Sequence, residues 1–191
     1  MRRRIVIAVA VVTAVVAGAT TFASGATTSG VTVHDGNDTP VLLDLQKVVL
    51  TPSKTRVEAK ISTYEAWGTP VLLGDASSAP GSFCVLIWTA KVTDGPASFD
   101  VCATARAGGR SLTASVFAER SGGGTLRRVA GASVSRPSTR TISIRFDLAD
   151  VGTPKSLRFA VEAAQQAGCP GPRGCVDRAP NGARKTRLTL G

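Results

Sequence analysis

Phe83-Cys84-Val85-Leu86-Ile87-Trp88 and Phe99-Asp100-Val101-Cys102-Ala103-Thr104 decide the fold. In both stretches apolar side chains recur at every second position, the period of a half-buried β-strand. Val85 and Ile87 alternate with Leu86 and Trp88, and Phe99, Val101 and Ala103 with Asp100, Cys102 and Thr104. If Cys84 faces Cys102, antiparallel partners carry numbers that sum to 186, which sets Val85 opposite Val101 and Ile87 opposite Phe99. All four are the inward-facing members of their strands, and the turn falls on residues 91–95. Two independent signals agree on one register, so a cross-strand disulfide is expected on the face opposite the apolar side chains.

The same beat recurs on either side of this hairpin. It runs through Val57, Ala59 and Ile61, through Leu112, Ala114, Val116 and Ala118, and through Ile142, Ile144 and Phe146. It returns at Leu157, Phe159 and Val161 and closes with Leu188 and Leu190. Turn signals rich in Gly, Pro, Asp and Ser lie between, at residues 51–53, 94–96, 108–109, 122–124, 136–137 and 152–154. Short alternating strands at this spacing argue for an all-β, antiparallel sandwich or barrel with one buried and one wet face. No segment has helical period. Residues 160–167, rich in Ala and Gln, offer at most a turn of helix, stopped by Pro170 and Pro172.

The amino terminus reads as an address. Arg2, Arg3 and Arg4 precede an unbroken run of small and aliphatic residues over 5–17, and a small, polar stretch follows. That is the layout of a secretory signal peptide, assigned to residues 1–26, with cleavage after Ala23 or Ala26. An uncleaved membrane anchor is the alternative, against which the shortness of the run counts. Residues 27–39 read as a flexible arm and residues 40–191 as the β-sandwich domain, secreted or otherwise extracytoplasmic. The chain carries 23 Lys and Arg against 13 Asp and Glu; the leader removes three Arg and no acid, leaving 20 against 13, a net +7. The basic residues are spread along the mature chain, which favours a generally basic surface over a dedicated anion site. Anionic cell-wall polymers are compatible partners, and nucleic acid is not expected. Cys84, Cys102, Cys169 and Cys175 are an even set in an exported chain and read as two disulfides, Cys84–Cys102 and Cys169–Cys175. Zinc is excluded by the absence of a tight pair spacing.

Catalytic chemistry finds few residues to use. His34, the only histidine, lies in the arm, so a Ser-His-Asp or Cys-His system has no ordered base, and the cysteines are committed. A glycosidase needs only two acids; Asp38 with Asp44, Asp94 with Asp100, and Asp147 with Asp150 are near in sequence, but each sits in or beside a turn. Asp35-Gly36-Asn37-Asp38 looks like a fragment of a calcium loop without the full spacing or the closing Glu. It reads as a turn, with a structural ion left open, and no metal ligand or cofactor is assigned. Trp67, Trp88 and Tyr64 are the only aromatic residues with polar tips. Trp88 shares a face with Cys84 and is placed to cover the disulfide, while Tyr64 and Trp67 follow a strand at a rim position where ligand stacking is feasible.

Four segments carry a family resemblance: Asp35-Gly36-Asn37-Asp38 with Leu43-Asp44-Leu45, residues 57–67 as an early strand ending in Trp, the hairpin 83–100, and Asp177-Arg178-Ala179-Pro180-Asn181-Gly182. In these the chain resembles exported actinobacterial β-sandwich proteins of unknown function that look like carbohydrate-binding-module family 9 and DOMON-like domains. The resemblance implies a jelly-roll-like sandwich and a leaning towards glycan or envelope binding. The family's hairpin is often richer in acids than Thr93-Asp94-Gly95-Pro96, so its calcium is not carried over. Heme-binding members use Met and His ligands, and here Met1 is the only Met. The expected function is that of a non-catalytic exported module contacting a glycan or the cell envelope. The alternative is a protein-interaction or structural domain docking an exported partner.

Overall fold

The hairpin takes the register that its cysteines and its alternation require. In the computed structural model, which describes residues 29–74, 80–89, 95–119, 125–166, 169 and 175–190, β4 (Ser82–Thr89) pairs with β5 (Phe99–Ala105). Cys84 stands opposite Cys102, Val85 opposite Val101 and Ile87 opposite Phe99. Val85, Ile87 and Val101 are fully buried, and the two cysteines are bonded on the other face. Residues 1–26, read from the sequence as a signal peptide, lie outside the described residues, as does most of the hairpin's turn.

Nine further strands complete a single antiparallel path: β1 (Val31–His34), β2 (Leu45–Pro52), β3 (Arg56–Thr63), β6 (Leu112–Glu119), β7 (Leu126–Ser138), β8 (Thr141–Asp147), β9 (Ser156–Gln165), β10 (Cys175–Ala179) and β11 (Thr186–Thr189). Their spatial order is β1-β2-β3-β8-β7-β6-β5-β4-β9-β10, with β11 also on β9. The result is an all-β sandwich whose sheet curls into a nearly closed barrel. The chain crosses between its two halves at β3 to β4, through a 3-10 turn at Thr69–Leu72, and at β8 to β9, through a second at Leu148–Val151. Phe83, Phe146, Phe159, Leu50, Ile61 and Ile142 are among the largest fully buried side chains of the core. Each contributes about 1.5–3 kcal/mol by leaving water.

Strand β7 makes the corner. Its first half pairs with β6 from Leu126 to Ala132 and its second with β8 from Ser133 to Ser138. The register slips between Val116 and Phe117 on β6, where Val129 is left over, and again between Ser135 and Ser138. Such bulges bend and twist a strand, which lets one strand serve two sheets. Arg136-Pro137, which reads as a turn in the sequence, belongs to the second slip, and the chain reverses at Thr139 and Arg140 instead.

Two expectations need correction. The flexible arm 27–39 contains an ordered strand, because Val31–His34 pairs with Lys47–Leu50 and Val33 points into the core. Residues 160–165 are not helical but the end of β9, which lies between β4 and β10 with Val161 and Ala163 buried. Cross-strand pairing on both sides outweighs the high intrinsic helix propensity of Ala and Gln.

The two bridges differ in reach, spanning 18 residues for Cys84–Cys102 and 6 for Cys169–Cys175. Replacing the first pair by Ala should lower the unfolding free energy by about 3 kcal/mol and replacing the second by about 2 kcal/mol, by the loop-entropy relation. Urea midpoints of the two double variants against the oxidised protein check the order, and a larger loss at Cys169–Cys175 would contradict it.

Candidate functional site

The barrel closes where β2 begins and β10 passes, and four carboxylates meet there. Beyond β1, the Asp35 amide donates to the Gln46 carbonyl at 3.1 Å, which extends the ladder by one residue. The chain then turns through Gly36, Asn37 and Asp38, and tightly again where the Val41 amide donates to the Thr39 carbonyl at 2.7 Å. It re-enters the core at Leu43, Asp44 and Leu45, all buried. Tyr64 holds both ends of this loop, its hydroxyl donating to the Asp35 carbonyl at 2.8 Å and its amide to the Asp44 carbonyl at 3.0 Å. From the far end of the sequence comes Asp177 on β10. Its Oδ2 accepts the Leu45 amide at 2.5 Å and its Oδ1 the Arg178 amide at 2.7 Å. Asn181 Nδ2 donates to Asp38 Oδ2 at 2.9 Å.

Carboxylate oxygens of Asp35, Asp38 and Asp177 lie within 4.8 Å of one another. Asp44 stands beside Asp177 and next to this three-way set, only 1% exposed, with no donor at hydrogen-bond geometry for either carboxylate oxygen. The Thr39 amide favours its charged form without closing a hydrogen bond of ordinary geometry. Burial, and then the negative charge of Asp177, push the Asp44 carboxyl up to about 6. Burial, and then Asp177 and Asp38, do the same to Asp35, also to about 6, against a smaller opposing effect of the Gly36 amide. Of the acid pairs near in sequence, the fold thus brings Asp38 and Asp44 to one place. Asp147 is instead paired with Arg56 at 2.6 Å, and Asp94 lies outside the described residues. Three carboxylates this close are more crowded than the roughly 5 to 9.5 Å separation of glycosidase acid pairs. The donor set is all oxygen, the type that hard cations take. Asp177 is the member that sequence reading missed, since nothing local links it to residues 35–44.

Beside the cluster an open trough of about 360 Å³ is lined by Asn37, Thr39, Pro40, Val41, Leu42, Asp44, Tyr64, Glu65 and Gln165. Tyr64 therefore lines the trough. Trp67 does not. Its ring is 3% exposed, packs against Phe83 with centroids 5.1 Å apart, and is covered by the Arg136 guanidinium at 4.6 Å. A ligand has no access to either face, so Trp67 seals the core end. Trp88 is likewise buried on the outer side of β4; its Nε1 donates to the Gly95 carbonyl at 3.0 Å, and Lys185 Nζ stands 4.5 Å from the ring.

Compared with known proteins, the chain matches no family model, no curated protein and no solved structure. Its two disulfides fit an oxidising, extracytoplasmic setting. No helix among the described residues is long and apolar enough to cross a membrane.

A second group of acids lies on the outer face of the hairpin sheet. Burial raises the Asp100 carboxyl to about 6, with Glu162 and then Glu119 adding to it. Glu162 is itself paired with Arg178 at 2.7 Å. A carboxyl raised on folding contributes stability that is complete below its unfolded value of about 4 and is lost as pH rises through about 6. Asp100→Asn should therefore unfold at the same urea concentration as the parent at about pH 4. At about pH 7 it should be more stable by on the order of 2 kcal/mol, allowing for partial exposure. Parallel stability–pH curves for the two proteins would contradict the assignment.

Proposed function

We propose that the chain is an exported, non-catalytic β-sandwich module that binds the cell envelope or an extracellular glycan through the trough at the barrel seam. The observation that carries this reading is the lining of the trough. Asn37, Thr39, Glu65 and Gln165, with amide, hydroxyl and carboxylate side chains, line the trough together with Tyr64, Pro40 and the exposed Leu42. A trough lined by polar side chains and one aromatic residue suits a hydroxyl-rich ligand, which offers apolar C–H faces and many hydrogen-bonding edges. The leader-like residues 1–26 and the paired cysteines support export. The positive charge of the mature chain supports attraction to anionic wall polymers.

One observation favours the alternative, a domain that docks an exported protein partner. Val176 is 53% exposed on β10, the last strand of the sheet path, next to the Cys169–Cys175 bridge. An apolar side chain on such a strand is a natural contact for an added strand.

The disulfide-intact protein, incubated with purified cell wall and a panel of insoluble glycans, should be retained on at least one matrix at both low and high salt. Asn37→Ala with Glu65→Ala, both exposed positions, should weaken that retention at least tenfold. Retention that vanishes with salt and ignores these substitutions would reduce the interaction to a basic surface on an anionic polymer. Absence of retention on every matrix would overturn the glycan reading in favour of a protein partner.

A further inference from the structure

The four carboxylates at the seam have a geometry that protein groups alone leave incomplete. Oxygens sharing one calcium ion sit about 2.3–2.6 Å from it and hence at most about 5 Å from each other. The carboxylates of Asp35, Asp38 and Asp177 already satisfy that limit, lying within 4.8 Å. Asp44 is the independent sign of a missing partner. It is 1% exposed, its close side-chain neighbour is another acid, Asp177, and no donor meets either of its oxygens at hydrogen-bond geometry. Asp35 Oδ2 is buried and unpartnered as well. Among the described residues no Lys or Arg forms an ion pair with these four acids, while Arg56, Arg145 and Arg178 each neutralise an acid elsewhere. Buried carboxylates without cationic side chains need protons or a metal ion.

We propose that Asp35, Asp38, Asp44 and Asp177 are the carboxylate ligands of a calcium ion that ties the amino-terminal loop to β10 and closes the barrel. Only oxygen donors are present, which disfavours zinc and copper. Several carboxylates on a turn and a strand from opposite ends of the chain make an adaptable cage, whereas magnesium takes a tight octahedron and keeps its waters. The supporting contacts suit a ligand role. Tyr64 fixes the backbone of Asp35 and Asp44, Asn181 orients Asp38, and two amides hold Asp177 with each of its oxygens still able to accept again. The inference stands apart from the glycan reading, since neither binding nor its readout involves a saccharide.

Chelator-treated, disulfide-intact protein is titrated with calcium chloride in a calorimeter and melted with calcium, magnesium or EDTA. One ion per chain is expected, with a dissociation constant at or below about 10⁻³ M, the weak end for extracellular sites. Excess calcium should raise Tm by roughly 5 °C or more over EDTA, and equal magnesium by clearly less. Asp38→Asn, an exposed change that leaves the core untouched, should weaken calcium binding at least tenfold while its Tm in EDTA stays that of the parent. Asp44→Asn should abolish the calcium-induced rise without lowering Tm in EDTA. Asp100→Asn, at the other acidic group, should keep the rise in full. No binding heat together with equal Tm in calcium and EDTA would overturn the proposal. So would a calcium-induced rise that survives Asp38→Asn with Asp44→Asn, or one that disappears in Asp100→Asn.

Discussion

The hydrogen bond from the Leu45 amide to the Asp177 carboxylate, 2.5 Å long and buried, joins the two ends of the sheet. The sheet curls far enough to bring β2, beside the terminal β1, against the last strand β10. Here they do not form a continuous ladder, because β10 pairs with β9 and β2 with β1 and β3. The first amide of β2 is left inside the seam without a strand partner. An unmet buried donor costs about 1–3 kcal/mol, and a carboxylate is a stronger acceptor than any neutral group that fits. The core on either side, from Leu43 and Leu45 to Val161 and Ala179, is dry only while this seam is shut.

Using a carboxylate for that purpose creates a second problem, which strand alternation sharpens. On β10 successive side chains point to opposite faces, so Asp177 turns inward while its neighbour Arg178 turns outward to Glu162 and the ring of Trp88. The cation nearest in sequence is thereby withheld from the seam. Asp35, Asp38 and Asp44 arrive on the loop opposite, and like charges accumulate where water is scarce. Raised carboxyls at Asp35 and Asp44 are the physical expression of that crowding. The outer face of the hairpin sheet shows the milder case, in which Glu162 has its arginine and Asp100 alone is displaced.

What could be read from the sequence follows from how local the signal is. The β4–β5 register was legible because cysteine positions and hydrophobic alternation each fix it and had only one common solution. β7 was not, because its two halves serve different sheets and most of its side chains are exposed, so no single inward face repeats along it. The start of β9 was legible at Leu157, Phe159 and Val161, but its end hid behind Ala and Gln, whose high helix propensity is overruled by neighbours on both sides. β1 is too short for its one buried residue, Val33, to make a pattern. Tyr64 and Trp67 share one segment, but only the chain path past Thr63 decides which ring turns to the trough and which to Phe83. The acid cluster joins Asp35, Asp38 and Asp44 to a partner more than a hundred residues away, a relation that no spacing rule within one segment contains.

Trough and acid cluster are not separate features of the seam. Asp44 lines both, and the Tyr64 that faces the trough is hydrogen-bonded to the backbone of Asp35 and of Asp44. Residues 36–43 between them carry little regular structure, and their path is set by those two bonds, by the turn at Thr39 to Val41 and by whatever balances the carboxylates. Charge compensation at the seam therefore bears on the wall of the trough that Asp44 helps to form. A ligand held there meets a surface whose shape is coupled to the ionic state of Asp44 through a side chain that it touches.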